Sequence, residues 1–284
     1  MTKARACSWV DGRQLLLSFD RMDWLNFAVC SSIVVALMTG LVVWRAFSSG
    51  AGWAAWVCYQ VARLQAAVYA GWSSTNACTY PETGAGIIVA NHSSPVDPSL
   101  LWIRHFAQFK RPRLRVIGFL MAREYYVQSG IVGWVCRVMQ SIPMDRSGQD
   151  MAPLRQALRR LQAGHLLGVF PEGRLNTVSP DTQLLPGGVG VAWLALRSSA
   201  PVIPVFIKDA PRSSSMVRAF FTRSKTTLTY GSPIDLSRWT SRKPDHDVLL
   251  EVTDHIMQQL ANLGGILPTA APHVPSTAPP THAP

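Results

Sequence analysis

The sequence has no Cys-x-x-Cys pair, and its five cysteines (Cys7, Cys30, Cys58, Cys78 and Cys136) are scattered, with no histidine at ligand spacing. That pattern excludes a zinc knuckle and a disulfide framework, predicts no metal, and fits a reducing compartment. There is no long Lys/Arg run and no nucleic-acid-binding motif, so no nucleic-acid partner is expected. The absence of a Gly-x-Ser-x-Gly turn removes a serine hydrolase of the nucleophile-elbow kind. No internal repeat is present. Acidic residues are scarce: 16 Asp and Glu against 27 Lys and Arg leave a formal net charge of +11, which favours phosphate-bearing partners.

The 284 residues are 48% apolar, enough for a sizeable core. Residues 24–44 carry no charged side chain, and about 20 apolar residues suffice to span a bilayer as a helix. The stretch lacks a small-residue cleavage site and starts late for a signal peptide, so it reads as retained. A second uncharged stretch, Ala46–Ala62, opens with Ser48-Ser49-Gly50 and carries Trp53 and Trp56. Two short helices joined by that turn would dip into one leaflet and return, with Arg63 and the basic residues Lys3, Arg5, Arg13 and Arg21 at the headgroups. A single true span is the alternative. Residues 1–72 are thus expected to form membrane-associated helices.

From about residue 80 short apolar runs alternate with stretches of helical spacing, which predicts an α/β domain over residues 73–264. Expected strands are Ile87–Ala90, Leu114–Gly118, Ser141–Met144, Leu166–Phe170, Val202–Ile207 and Thr226–Tyr230. Met151, Leu154, Leu158 and Leu161 define one helix that stops at Gly164, and Val248, Val252, Ile256, Leu260 and Leu263 define another. The expected fold is a mixed sheet flanked by helices and preceded by the two-helix membrane segment. Residues 265–284, rich in Pro, Ala and Thr, read as a disordered tail.

The segment Gly86-Ile-Ile-Val-Ala-Asn-His-Ser-Ser-Pro-Val-Asp97 begins as a buried strand and breaks at Asn91-His92. His92 then sits on the loop after a strand's C-terminal end, where open α/β sheets bind ligands. Ser94, Pro95 and Asp97 have the form of a helix start: N-cap, first helical position and capping-box acid. On one continuous helix His92 and Asp97 would point about 140° apart, but a loop-to-helix corner lets them meet. A histidine oriented by a carboxylate is a general base that can deprotonate an alcohol, and a substrate hydroxyl makes an enzyme nucleophile unnecessary.

Asn91-His-Ser-Ser-Pro-Val-Asp97 resembles the Asn-His-x-x-x-x-Asp signature of the glycerolipid acyltransferases, which include the 1-acylglycerol-3-phosphate acyltransferases. Three further blocks follow in that family's order: Ile142-Pro-Met-Asp-Arg146, Phe170-Pro-Glu-Gly-Arg174 and Val202-Ile-Pro-Val205. The resemblance implies a membrane-bound O-acyltransferase on the cytoplasmic face, at the inner or plasma membrane in a bacterium. It would move an acyl group from acyl-CoA or acyl carrier protein to the hydroxyl of lysophosphatidic acid, giving phosphatidic acid, with no cofactor; the alternatives are another lysolipid acceptor, such as a lyso-aminolipid, or a non-catalytic basic membrane-binding protein. It assigns His92 and Asp97 to catalysis and Arg146 and Arg174 to the acceptor's phosphate. Glu172 and Gly173 fall to the floor of the acceptor site, and Arg123 to its vicinity. Where many relatives read Glu-Gly-Thr-Arg, this chain has Glu172-Gly173-Arg174-Leu175, so its arginine stands one position nearer.

Overall fold

The structure, a computed structural model, describes residues 12–71, 73–108, 113–145, 150–178, 181–213 and 215–267. The chain forms two compact units, Met1–Ser49 and Gly50–Pro284. The described part of the first is one helix, α1 (Gly12–Phe47), of 36 residues. Its stretch Asn26–Phe47, 22 residues, is long and apolar enough to cross a membrane. At 1.5 Å per residue it would extend about 33 Å, the thickness of a hydrocarbon core. The expected first short helix is therefore a long uninterrupted one.

The second unit holds α2 (Trp53–Gln65), prolonged by a π-helical turn over Ala66–Ala70, and then a seven-stranded sheet. Its strands are β1 (Ser73–Thr75), β2 (Gly86–Ala90), β3 (Ile117–Ala122), β4 (Ile142–Met144), β5 (Leu166–Val169), β6 (Val202–Lys208) and β7 (Thr227–Tyr230). The remaining helices are α3 (Asp97–Gln108), α4 (Arg123–Val127), α5 (Ile131–Val138), α6 (Ala152–Gln162), α7 (Gly190–Ser198), α8 (Met216–Phe220), α9 (Ser237–Thr240) and α10 (His246–Gly264). The strand order is β1-β7-β6-β2-β5-β3-β4. Strands β6, β2, β5, β3 and β4 run parallel, β7 is antiparallel to β6, and β1 is parallel to β7. The sheet is mixed, as expected.

Side-chain alternation along the strands divides the core in two. Ile88 and Ala90 of β2, with Ile203, Val205 and Ile207 of β6, face a layer that includes Tyr59 of α2 and Leu100 and Trp102 of α3. Ile87, Val89, Val202 and Phe206 face the opposite layer, with Ala157 and Leu161 of α6, Leu194 of α7, and Val252 and Ile256 of α10. Strand β2 is buried along its whole length, the expected state of a parallel strand covered on both faces. Helix α6 starts beside Pro153 and gives way at Gly164 (φ 82°), while Asp245 caps α10 by accepting from Val248 N at 2.9 Å.

Three local features depart from the expected pattern. The third strand begins at Ile117, not Leu114, because Arg115 is held by other bonds. The Arg115 guanidinium donates to the carbonyls of Pro81, Gly84 and Gly164, and Trp102 Nε1 donates to Arg115 O at 2.6 Å. Pairing then continues through Ala122 against β4. Strand β1 is all Ser and Thr, so it offers no apolar alternation to read. And α2 buries Ala55, Tyr59, Ala62 and Gln65 in the second unit, with Tyr59 Oη donating to Ile103 O at 2.9 Å. Beyond Gly265, Ile266 N donates to Ala261 O at 3.0 Å and Leu267 bridges to Gln183, whereas residues 268–284 lie outside the described residues.

Gly168 in the middle of β5 links this packing to the strand ends. A Cβ there would stand 2.1 Å from Cε1 of Phe119, a buried ring stacked on Phe170. Gly168→Ala is expected to destabilise the protein by about 1–3 kcal/mol through overpacking. It should also lower turnover, because Phe170 lies under His92. A thermal melt and a steady-state assay check both, and an unchanged melting temperature contradicts the packing argument.

Candidate active site

Because five strands run parallel, the residues that follow β2, β3, β4, β5 and β6 gather at one edge of the sheet. His92 follows the central strand β2. At Asn91 the backbone leaves the ladder, but the sheet is not left open: Asn91 Nδ2 donates to Ile207 O at 2.8 Å and Ile207 N donates to Asn91 Oδ1 at 2.7 Å. One carboxamide thus replaces a pair of ladder bonds to β6 and frees the main chain to turn.

The turn is held by a carboxylate. Asp97, fully buried at the first turn of α3, accepts at a single oxygen, Oδ2, from Ser93 N (2.8 Å) and Ser94 N (2.8 Å), and the same oxygen lies 3.0 Å from His92 Nδ1. The half of the capping box in which the acid reaches back to the N-cap amide is present. The other half differs: Ser94 Oγ donates to Pro211 O at 2.6 Å, and Asp97 N donates to Ser94 O at 3.1 Å. Contact with Asp97 makes Nδ1 the protonated ring nitrogen and leaves the Nε2 lone pair to act as a base. The imidazole stacks on Phe170, centroids 4.0 Å apart and planes 14° from parallel, so its other degree of freedom is also fixed.

Glu172, from the adjacent β5 loop, lies beneath the same turn. Its Oε1 accepts from His92 N at 2.8 Å and its Oε2 from Leu185 N at 2.8 Å. Burial pushes its pKa up, and the two amides that bond the ionised form pull it back. Asn176 N donates to His92 O at 2.7 Å, so both backbone polar groups of His92 are anchored to the 170–176 loop. Gly173 has φ 65°, in the left-handed region that suits glycine, and it carries the chain from buried Glu172 to exposed Arg174. The amides of residues 92, 93 and 94 are all occupied, so an oxyanion formed over His92 must find donors elsewhere.

Arg123, at the end of β3, is exposed and pairs with Asp145 across 3.4 Å at the end of β4. Arg146, the next residue, lies outside the described residues. Placement after β3, β4 and β5 puts Arg123, Asp145 and Arg174 at the same sheet edge as His92. The sequence motifs missed Asn91, Phe170 and Asn176 as working parts of the site. Asn91 and Phe170 stand within the recognised blocks, but their roles are contacts with distant chain. Among the described residues no group of three His, Cys, Asp or Glu side chains could hold a metal ion.

Residues 73–208 match the family model described as Acyltransferase. The chain is 24% identical over 143 residues to the 1-acyl-sn-glycerol-3-phosphate acyltransferase of Bacillus subtilis, covering 50% of this chain and 67% of that protein. It is 28% identical over 171 residues to the protein of the same name from Limnanthes douglasii, covering 57% of each. The matched length is thus from somewhat over half to two thirds of these relatives. The solved structure of the 1-acyl-sn-glycerophosphate (LPA) acyltransferase PlsC from Thermotoga maritima superposes with a TM-score of 0.56 at 21% identity, covering 88% of this chain and 96% of that one, and this likeness speaks for the fold. The four sequence blocks fall inside the matched region, and residues 73–208 are thus similar in sequence to the Acyltransferase family and form a sheet of the same fold as the solved PlsC structure.

Proposed function

We propose that this protein transfers a fatty acyl group from an acyl thioester, acyl-CoA or acyl carrier protein, to the free hydroxyl of lysophosphatidic acid, giving phosphatidic acid for phospholipid synthesis. The observation that carries the reading is the partly exposed His92 held by buried Asp97 at the end of the central strand, with no nucleophilic side chain required beside it. His92 Nε2 takes the proton of the acceptor hydroxyl. The resulting alkoxide attacks the thioester carbonyl, the carbon–sulfur bond breaks, and the thiolate leaves with the proton that His92 holds. Asp97 keeps the ring in the tautomer that makes this possible.

Arg146 and Arg174 are assigned to the acceptor phosphate, since a guanidinium offers paired, charge-assisted bonds to it. The first apolar helix holds the chain at the membrane in which the acceptor resides, and the thioester donors place the active unit on the cytoplasmic face. Glu172 is a positioning residue in this scheme: both carboxylate oxygens already hold backbone amides.

Purified full-length protein given acyl-CoA and lysophosphatidic acid should form phosphatidic acid, read by mass spectrometry. His92→Ala should lower turnover by about 10²–10⁴-fold, with Asp97→Asn falling in the same direction, and near-wild-type activity in His92→Ala would refute the mechanism. Arg146→Ala and Arg174→Ala should each lower kcat/KM for lysophosphatidic acid by about tenfold or more while leaving the thioester KM unchanged. Equal damage to both substrates would make these arginines structural. Glu172→Gln places an NH₂ group against a backbone N–H, and it should cost about 1–3 kcal/mol in a denaturation experiment and reduce kcat more than KM. Wild-type stability in that variant would contradict the assigned bonds.

A further inference from the structure

Two basic residues recognised from the sequence, Arg123 and Arg174, follow β3 and β5, on one side of His92. A separate basic group lies on the other side, where β6 ends. The end of β6 and its connection to β7 carry Lys208, Arg212, Arg218, Arg223 and Lys225 against a single acid, Asp209. Between this connection and the catalytic turn is a cleft of about 230 Å³ lined by Ser93, Asn176, Thr177, Arg212 and Ser213. The lining residues present hydroxyl, amide and guanidinium groups on walls that are otherwise largely apolar, a mixture that suits an amide-bearing chain with short aliphatic stretches. Ser93, next to His92, is 93% buried (7% exposed), and its hydroxyl has no hydrogen-bond partner among the described residues. A buried hydroxyl left without a partner costs free energy that a ligand's polar group would recover. Arg212 stands at the same cleft, ion-paired with Asp181, and is 62% exposed.

We infer that this cleft receives the phosphopantetheine arm common to both classes of thioester donor, with Arg212 on its phosphate and Ser93 on its amide- and thioester-bearing end. The inference rests on the acyl-transfer reading and adds to it a direction of approach: acceptor from the β3–β5 side, donor from the β6 side, meeting over His92. Asp181 acts as a placeholder counter-charge. It holds the guanidinium in position when no phosphate is present, and a phosphate competes with it for the fork of N–H donors.

The test uses the full chain with Arg212→Gln, Ser93→Ala and Asp181→Asn. Binding of CoA is followed by titration calorimetry, and apparent KM values are measured for palmitoyl-CoA and lysophosphatidic acid. Arg212→Gln is expected to weaken CoA binding and raise the palmitoyl-CoA KM by about threefold to tenfold, the range for a partly exposed charged contact, without changing the acceptor KM. Ser93→Ala should shift the same two quantities in the same direction. Asp181→Asn should leave CoA binding unchanged or tighter, because it frees Arg212. An effect of Asp181→Asn equal to that of Arg212→Gln would make the pair a loop support and overturn the inference, as would an Arg212→Gln effect on the acceptor KM or unchanged CoA affinity. A wild type that binds CoA but transfers no acyl group would defeat the acyl-transfer reading alone, and the titrations would still decide the cleft.

Discussion

A buried carboxylate oxygen organises the site. Asp97 Oδ2 accepts from two successive amides and sits against His92 Nδ1, so the same atom shapes the turn and orients the base. Such convergence is strong where water is excluded, because the local dielectric is low and each donor is charge-assisted. It also explains why the amides of Ser93 and Ser94 cannot serve an oxyanion: they are the means by which Asp97 is held. The sheet contributes the remaining constraint. Asn91 replaces a ladder bond, Glu172 ties His92 N to the 185 region, and Phe170 supports the ring, so the loop is fixed from β5 and β6 at once.

Parallel topology gives this arrangement its electrostatic character. Five strands end at one edge, and their following loops bring basic residues to both sides of a single histidine. A positive edge raises the local concentration of phosphate-bearing ligands, and the two sides differ in their surroundings. Arg123 is paired with Asp145 at an open surface, whereas Arg212 borders a cleft beside Ser93. That difference is the basis for assigning the two substrates to opposite approaches.

The N-terminal region divides according to which side chains find partners. Residues in Asn26–Phe47 form a long apolar helix whose described side chains, apart from Ala46, are exposed, which is the state suited to lipid. In α2 a buried face of Ala55, Tyr59, Ala62 and Gln65 packs into the α/β unit, while Trp53, Val57, Val61 and Leu64 remain outside. Lack of charge is common to both stretches, yet only the second carries small residues and a tyrosine at helical spacing that fit against α3.

Local pattern determined much of this molecule. Short apolar runs and helical spacing identified six of the seven strands and the long amphipathic helices α6 and α10, because each of those signals is confined to a few neighbouring residues. The meeting of His92 with Asp97 was also legible, since a five-residue separation across a loop-to-helix corner is a local matter. What the sequence could not determine was set by partners far away in the chain: Asn91 bonds Ile207 across 116 residues and His92 bonds Glu172 across 80. No periodicity records such pairs. The same holds for the start of β3, decided by the reach of Arg115 to three carbonyls, and for β1, whose Ser and Thr side chains pair with Thr227 and Thr229 after the sheet has formed. The cleft between Ser93 and Arg212 belongs to this second class. It exists only because parallel strands β2 and β6 are neighbours, an adjacency fixed by burying both faces of the sheet and not by any motif.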